Sequence, residues 1–444
     1  VEINKQNFFD NNALIIAVHI LFGVLISFNG FLVPLLICLI TVLFIFKLAL
    51  NDSSKINTFR IIAYLTSLEI LYRATGVTFL TYELSKYIQI FFCFYTIILN
   101  TNAKFHQIGF FIILLTLPSL LLFEYDIYKY LVFNSFGIYA LAVFVSFSAF
   151  QKISVQSFAS ILLSFIYPVI SFLVLITIRT PSFDEISFDL GANFETSGGF
   201  GSNQVSTVLG AFCCCLVLLI ILKEAISNRY WLTYSLLVYA LFRGLITFSR
   251  GGMFGFLISL ILPWLFFKRI SITNFFQMAG FLIFSILIFI FSDNLTGGQL
   301  LLRFQGETAG TLDGVKEKNT ENVTSGRSIV FESDLNIWED NLLLGVGPGK
   351  SQFIRYKYGL DMDVAPHVEF SRLLAENGIF GLIINIILVF WPVFIINRTK
   401  SSQFRFIKAV LFIFAYSSTF HSAMRNGIAP LFYALASLDI YEES

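Results

Sequence analysis

Few residues in this sequence have side chains that could do chemistry, and they are unevenly placed. Four histidines occur: His19, His106, His367 and His421. His367 stands apart, between Pro366 and the start of an apolar helix, at the rim of the longest polar stretch. Its near-neutral titration is what a general base requires, although a lone loop histidine more often serves structure than catalysis. There is no His-Glu-x-x-His pattern and no Cys/His cluster, so the pattern gives metal ligation little support. Cys38, Cys93, Cys213, Cys214 and Cys215 all sit in apolar runs, where they read as small packing residues.

The arginines carry a second signal. Arg243 and Arg250 bracket Arg243-Gly-Leu-Ile-Thr-Phe-Ser-Arg250-Gly-Gly, and Arg327 lies in Ser325-Gly-Arg-Ser. Arginine beside hydrocarbon is costly unless it has a partner or a task. A planar guanidinium forks well onto phosphate oxygens, which makes these three candidate anion ligands. The alternatives are a headgroup anchor for Arg250 and a solvated charge for Arg327. Arg425, with His421, caps the last outer turn and is a further candidate for the same cavity. Arg73 has Glu69 four residues earlier, so a structural ion pair accounts for it. Leu344-Gly-Val-Gly-Pro-Gly-Lys350-Ser351 resembles a phosphate-binding loop only partly. Leu344 stands where that motif needs glycine, so the segment is read as a tight turn.

These residues must be positioned by membrane helices. Of 444 residues 57% are hydrophobic and 13% charged, with a mean hydropathy of +0.79, more apolar surface than a soluble globule can cover. A net charge of +1 gives no field that would draw nucleic acid. The apolar residues come in blocks long enough to cross a hydrocarbon core of about 30 Å. Candidate spans lie near 13–28, 31–49, 59–80, 88–100, 107–123, 131–150, 153–178, 203–222, 229–247, 252–267, 272–291, 371–396, 405–420 and 428–438. Backbone groups in lipid find no water, so these must be helices. The fold expected is an all-α, polytopic transmembrane helix bundle of about 12–14 spans.

With the N-terminus inside, twelve Lys and Arg residues of the short loops face the cytoplasm and six face outward. Both termini are then cytoplasmic and the longest loop is periplasmic. No cleavable signal peptide is expected, the first apolar stretch being retained as part of a membrane hairpin. The chain divides into N-terminal transmembrane helices at 1–291 with an outer loop at 179–203, a large outer loop at 292–370, and C-terminal transmembrane helices at 371–444. The first outer loop runs into Ser197-Gly-Gly-Phe-Gly-Ser-Asn203-Gln204, glycine-rich backbone that a ligand can approach, which makes Asn203 and Gln204 candidate binding residues. In the larger loop, apolar residues at helical spacing from Ile329 to Leu344 predict an amphipathic helix lying on the membrane.

Two stretches now carry a resemblance. Asn341-Leu-Leu-Leu-Gly-Val-Gly-Pro-Gly349 and Pro366-His-Val-Glu-Phe-Ser-Arg-Leu-Leu-Ala-Glu-Asn-Gly-Ile-Phe-Gly381 resemble the O-antigen ligase/polymerase superfamily. An outer-loop histidine followed, after ten residues, by Gly-x-x-Gly is its hallmark, matched here by His367, Gly378 and Gly381. Thr247-Phe-Ser-Arg-Gly-Gly252 and the 197–204 segment resemble other recurrent pieces, so the likeness spans roughly residues 190–400. Val368 departs from the pattern, since many ligases carry Asn, Ser or Gln directly after the histidine.

The resemblance implies a GT-C-like glycosyltransferase of the bacterial inner membrane, with its active face periplasmic. Its donor would be a glycan on undecaprenyl pyrophosphate, used without cofactor or metal. On that reading His367 and Arg250 are catalytic, and Arg243, Arg327, Arg425, Asn203 and Gln204 bind pyrophosphate or glycan. The leading expectation is an O-antigen ligase with a lipid A–core acceptor. A polymerase joining one lipid-linked glycan to another shares the chemistry. A membrane transporter trails both, because the spans show no half-to-half repeat.

Overall fold

The computed structural model describes residues 5–50, 55–100, 105–226, 230–267, 272–315, 324–360 and 368–442, and each apolar stretch picked out above forms helix. In chain order the helices are α1 (Lys5–Phe28), α2 (Leu32–Leu50), α3 (Lys55–Thr75), α4 (Leu84–Leu99), α5 (Ile108–Thr116), α6 (Tyr128–Ser148), α7 (Val155–Arg179), α8 (Ser202–Ile221), α9 (Tyr230–Leu245), α10 (Arg250–Phe267) and α11 (Ile272–Leu295). The long polar stretch adds α12 (Gln299–Gln305), α13 (Ala309–Leu312), α14 (Arg327–Asp340) and α15 (Ser351–Ile354). The chain then closes with α16 (Glu369–Arg398), α17 (Ser402–Ser422) and α18 (Ile428–Ala436).

Among the described residues 7 helices are long and apolar enough to cross a membrane, with shorter apolar helices at Asn12–Phe28, Leu84–Leu99 and Ile108–Leu122. The expectation of 12–14 spans counted α3, α9, α17 and α18 as well. α9 and α18 are short, while α3 and α17 carry buried polar side chains such as Glu69, Arg73, Lys408 and His421.

α7 and α8 form the middle of the bundle, each with 78% of its most apolar window buried, against 22% for α2 and 11% for α11. The outer helices turn Leu35, Leu39, Phe46, Ile283, Leu287 and Phe291 outward, an apolar surface that lipid rather than water solvates. α8 and α10 meet through glycine: a Cβ on Gly252 would lie 2.1 Å from the Ser206 carbonyl oxygen, and one on Gly210 2.5 Å from that of Gly252. At the far end of the bundle Lys152–Ser154 (β1) pairs in parallel with Asp439–Tyr441 (β2), tying the C-terminal segment to the start of α7. Cys93 and Cys213 to Cys215 are buried as expected of packing residues, whereas Cys38 is exposed on α2.

The amphipathic helix exists, and its inner face packs on protein. α14 buries Val330, Ser333, Asp334 and Ile337 on its inner face and packs against α16. The reason is Asp334, which pairs with Arg355 Nε at 2.8 Å and accepts from Ser371 Oγ at 2.8 Å, partners that only folded protein provides. Both charges are fully buried. Replacing Asp334 by Ala strands the Arg355 charge and is expected to cost about 3–5 kcal/mol, with Asp334→Asn costing less because an acceptor remains. Thermal unfolding of the detergent-purified variants, compared with the unaltered protein, checks this.

Candidate functional site

Two backbone turns and two helix ends bring three arginines and a histidine to one end of the bundle. Phe248 (φ 57°) reverses the chain so that α10 opens at Arg250, and Ser325 (φ 56°) with Gly326 (φ 76°) does the same ahead of Arg327. Arg303 lies in the last turn of α12, and His421 in the last turn of α17. Between them opens a cavity of about 440 Å³ lined by Arg250, Gly251, Thr324, Arg327, Ser328 and His421 on its polar side and by Phe254, Ile258, Phe331, Val368 and Phe420 on its apolar side. No carboxylate lines it among the described residues.

The guanidiniums are held from behind. Arg250 donates from Nη1 to the Arg303 carbonyl at 2.9 Å and from Nη2 to Ser325 Oγ at 2.7 Å, a hydroxyl that Arg303 Nη2 also reaches at 3.4 Å. Arg327 donates to the Thr324 carbonyl at 3.1 Å and to His421 Nδ1 at 3.3 Å. Burial, and then the charges of Arg303 and Arg425, hold the Arg327 guanidinium below its ordinary value. Burial lowers Arg303 as well, with Asp189 acting in the opposite sense. Arginine nevertheless stays protonated in proteins, so the cluster is a set of crowded, partly desolvated positive charges. The buried Nε atoms of Arg303 and Arg327 have no hydrogen-bond partner among the described residues. An anion would relieve both deficits.

The residues singled out in the sequence divide into three groups. Arg250 and Arg327 line the cavity together. Asn203, Gln204 and Arg425 line a neighbouring cavity of about 150 Å³, on the other side of the contact between His421 Nε2 and the Asn203 carbonyl (3.1 Å). Asn203 also accepts from Ser249 Oγ at 2.8 Å, which ties α8 to the residue just before Arg250. Burial lowers the Arg425 guanidinium, with nearby Tyr82 acting in the opposite sense.

Arg243 lines neither cavity. Its guanidinium is buried and donates to the Ile176 carbonyl (3.1 Å), Thr180 Oγ1 (2.6 Å) and the Thr196 carbonyl (2.7 Å), clamping α9 to the end of α7 and to the 192–198 segment. His367 lies outside the described residues; Val368, the next in sequence, lines the larger cavity.

The structural readings of the remaining candidates agree with their geometry. Arg73 pairs with Glu69 at 2.8 Å and also donates to Gln204 Oε1 at 2.5 Å. His19 is bonded to Ser171 Oγ at 2.8 Å, and His106 Nδ1 accepts from the Ile108 amide at 3.2 Å. Arg303 and Ser325 were not foreseen. Their one sequence signal is an arginine set between Leu302 and Phe304, apolar neighbours of a kind that put its charge near hydrocarbon.

No curated protein and no solved structure matches this chain. A family model described as O-antigen ligase matches residues 235–386, a stretch that takes in Arg250, Arg303, Arg327, Gly378 and Gly381. Over that stretch the chain is similar to the O-antigen ligase family, in keeping with the resemblance read from the sequence.

Proposed function

We propose that the 440 Å³ cavity holds the pyrophosphate of an undecaprenyl-pyrophosphate-linked glycan, and that the chain transfers that glycan to an acceptor hydroxyl on the periplasmic face. The observation that carries this is the convergence of Arg250 and Arg327 on a cavity lined by no carboxylate among the described residues, with Arg303 bonded behind them. The N-terminus of α10 adds the partial positive charge of a helix start beside Gly251. Phe254 lines this cavity and also an apolar cavity of about 270 Å³ between α9, α10, α11 and α12, a surface suited to the isoprenoid next to the pyrophosphate.

In the reaction the acceptor oxygen attacks the anomeric carbon while the bond from that carbon to the pyrophosphate oxygen breaks. The pyrophosphate leaves with the bonding pair, and the arginines stabilise the charge it gains. The acceptor's proton passes to His367. Pyrophosphate is a competent leaving group, so positioned cations and one base suffice.

Purified His367→Ala is expected to lose roughly 10²–10⁴-fold in transfer rate, the contribution typical of a general base. Near-normal turnover would remove His367 from that role. For the acceptor, the ligase reading leads. Deleting the gene should remove every polymer band from the surface glycolipids while lipid-linked polymer accumulates. Survival of glycolipids bearing one repeat unit, with only the ladder above them lost, would assign a polymerase instead. An unchanged ladder would sink both.

A further inference from the structure

The arginine cluster poses a problem of positioning. Arg327 follows two left-handed residues at the start of α14, and its bond to the Thr324 carbonyl lies within its own turn. That bond does not aim the side chain across the cavity toward α10. The neighbouring charges of Arg250, Arg303 and Arg425 repel it, and a carboxylate placed to hold it would neutralise it and compete with an anionic ligand. What can hold such a guanidinium without quenching it is a neutral acceptor.

His421 is that acceptor, and its protonation state follows from its partners. The Asn203 carbonyl can only accept, so Nε2 must donate to it, at 3.1 Å. Arg327 Nη2 can only donate, so Nδ1 must carry a lone pair, at 3.3 Å. The ring is therefore the neutral Nε2–H tautomer, with its lone pair turned to Arg327. Its position is set by Gly251: a Cβ there would fall 2.1 Å from both Cγ and Nδ1 of the imidazole, so the ring rests directly on the first turn of α10. Because Gly251 follows Arg250, the same contact that seats the imidazole fixes how far Arg327 stands from Arg250.

We propose that His421 is a positioning residue for the donor's pyrophosphate: seated on Gly251 and anchored by the Asn203 carbonyl, it holds Arg327 at a set distance from Arg250 so that both guanidiniums face one anion. This rests on the pyrophosphate reading of the cavity, and the experiment separates the two. The probe is undecaprenyl pyrophosphate without glycan, and its affinity for the detergent-purified full chain is measured alongside each variant's thermal midpoint.

Arg327→Ala and His421→Ala are each expected to weaken binding by roughly ten- to a hundredfold, the worth of one hydrogen bond to a charged group. If His421 acts only through Arg327, the double variant binds within about twofold of Arg327→Ala alone, as expected of residues that act through one shared interaction. His421→Asn places an amide oxygen where Nδ1 stands and is expected to recover most of the lost affinity in the presence of Arg327 and none in its absence. That difference would not arise from a general loosening of the fold.

Unchanged binding by Arg327→Ala would overturn the pyrophosphate reading and this assignment with it. Weakened Arg327→Ala beside unchanged His421→Ala would overturn the assignment alone. So would a double variant a further tenfold weaker than Arg327→Ala, since His421 would then act on the ligand independently.

Discussion

Arg250→Ala should abolish glycan transfer almost completely while leaving the protein folded. Arg250 is the guanidinium nearest the start of α10, and it lines the cavity while its two Nη groups are bonded to the Arg303 carbonyl and Ser325 Oγ. Removing one preorganised donor from the place where charge develops typically lowers kcat by roughly 10²–10³-fold. Arg250→Lys keeps the charge but loses the fork that grips two groups at once, so it should recover only part of the rate. Stability should respond differently. The alanine variant gives up the hydrogen bonds to the Arg303 carbonyl and Ser325 Oγ, worth about 1 kcal/mol each, but also lifts a positive charge out of a crowded cluster. The thermal midpoint should therefore shift little, as expected where a site stores repulsion for use on a ligand. Transfer by purified Arg250→Ala above about a third of the normal rate would be too small a loss for a transition-state donor, and would take Arg250 out of the chemistry.

The helices were legible in the sequence because lipid permits so few alternatives. Apolar runs of span length must be helical, and every such run is. Glu69 and Arg73 were legible as a pair because helical spacing alone brings them together. What could not be read is whatever depends on contacts between distant segments. His421 meets Arg327 across 94 residues and Asn203 across 218, and no periodicity records either contact. Arg243 carried the same signal as Arg250, an arginine at a span's end. Yet three backbone and side-chain oxygens from α7 and the 192–198 segment absorb it, and Arg250 faces a cavity. The amphipathic pattern of α14 was read correctly as a helix, but its buried face meets protein through Asp334. The same one-sided pattern serves a protein neighbour equally well, and Asp334 within it was the sign that it did.

Gly378→Ala should be strongly destabilising for a change of a single methyl group. Gly378 interrupts α16 at φ 59° and ψ −134°, a conformation open to glycine and strained for any other residue by about 1–3 kcal/mol. The interruption frees backbone groups, and the 342–347 segment takes them up. The Ile379 amide donates to the Leu342 carbonyl at 2.7 Å, while the Val346 and Gly347 amides donate to Ala375 and Glu376 at 2.9 and 3.2 Å. The glycine-rich turn is thus inserted into the gap in the helix, so closely that a Cβ on Gly378 would stand 2.5 Å from the Leu343 carbonyl oxygen. Gly381 completes the joint, with no room for a Cβ against the Leu373 carbonyl at 1.9 Å. An alanine at 378 adds backbone strain to the loss of up to three backbone hydrogen bonds, together about 4–6 kcal/mol. The damage would not stay local. The segment displaced leads back into α14, which carries Arg327 to the cavity, and α16 begins one residue after Val368, which lines it. Thermal midpoint and transfer rate should fall together in Gly378→Ala. Gly280→Ala, at an exposed helical position with open space around it, should change neither. A Gly378→Ala protein as stable and as active as the unaltered one would show that the joint between 342–347 and α16 is dispensable, and that the arginines are held in place by other contacts.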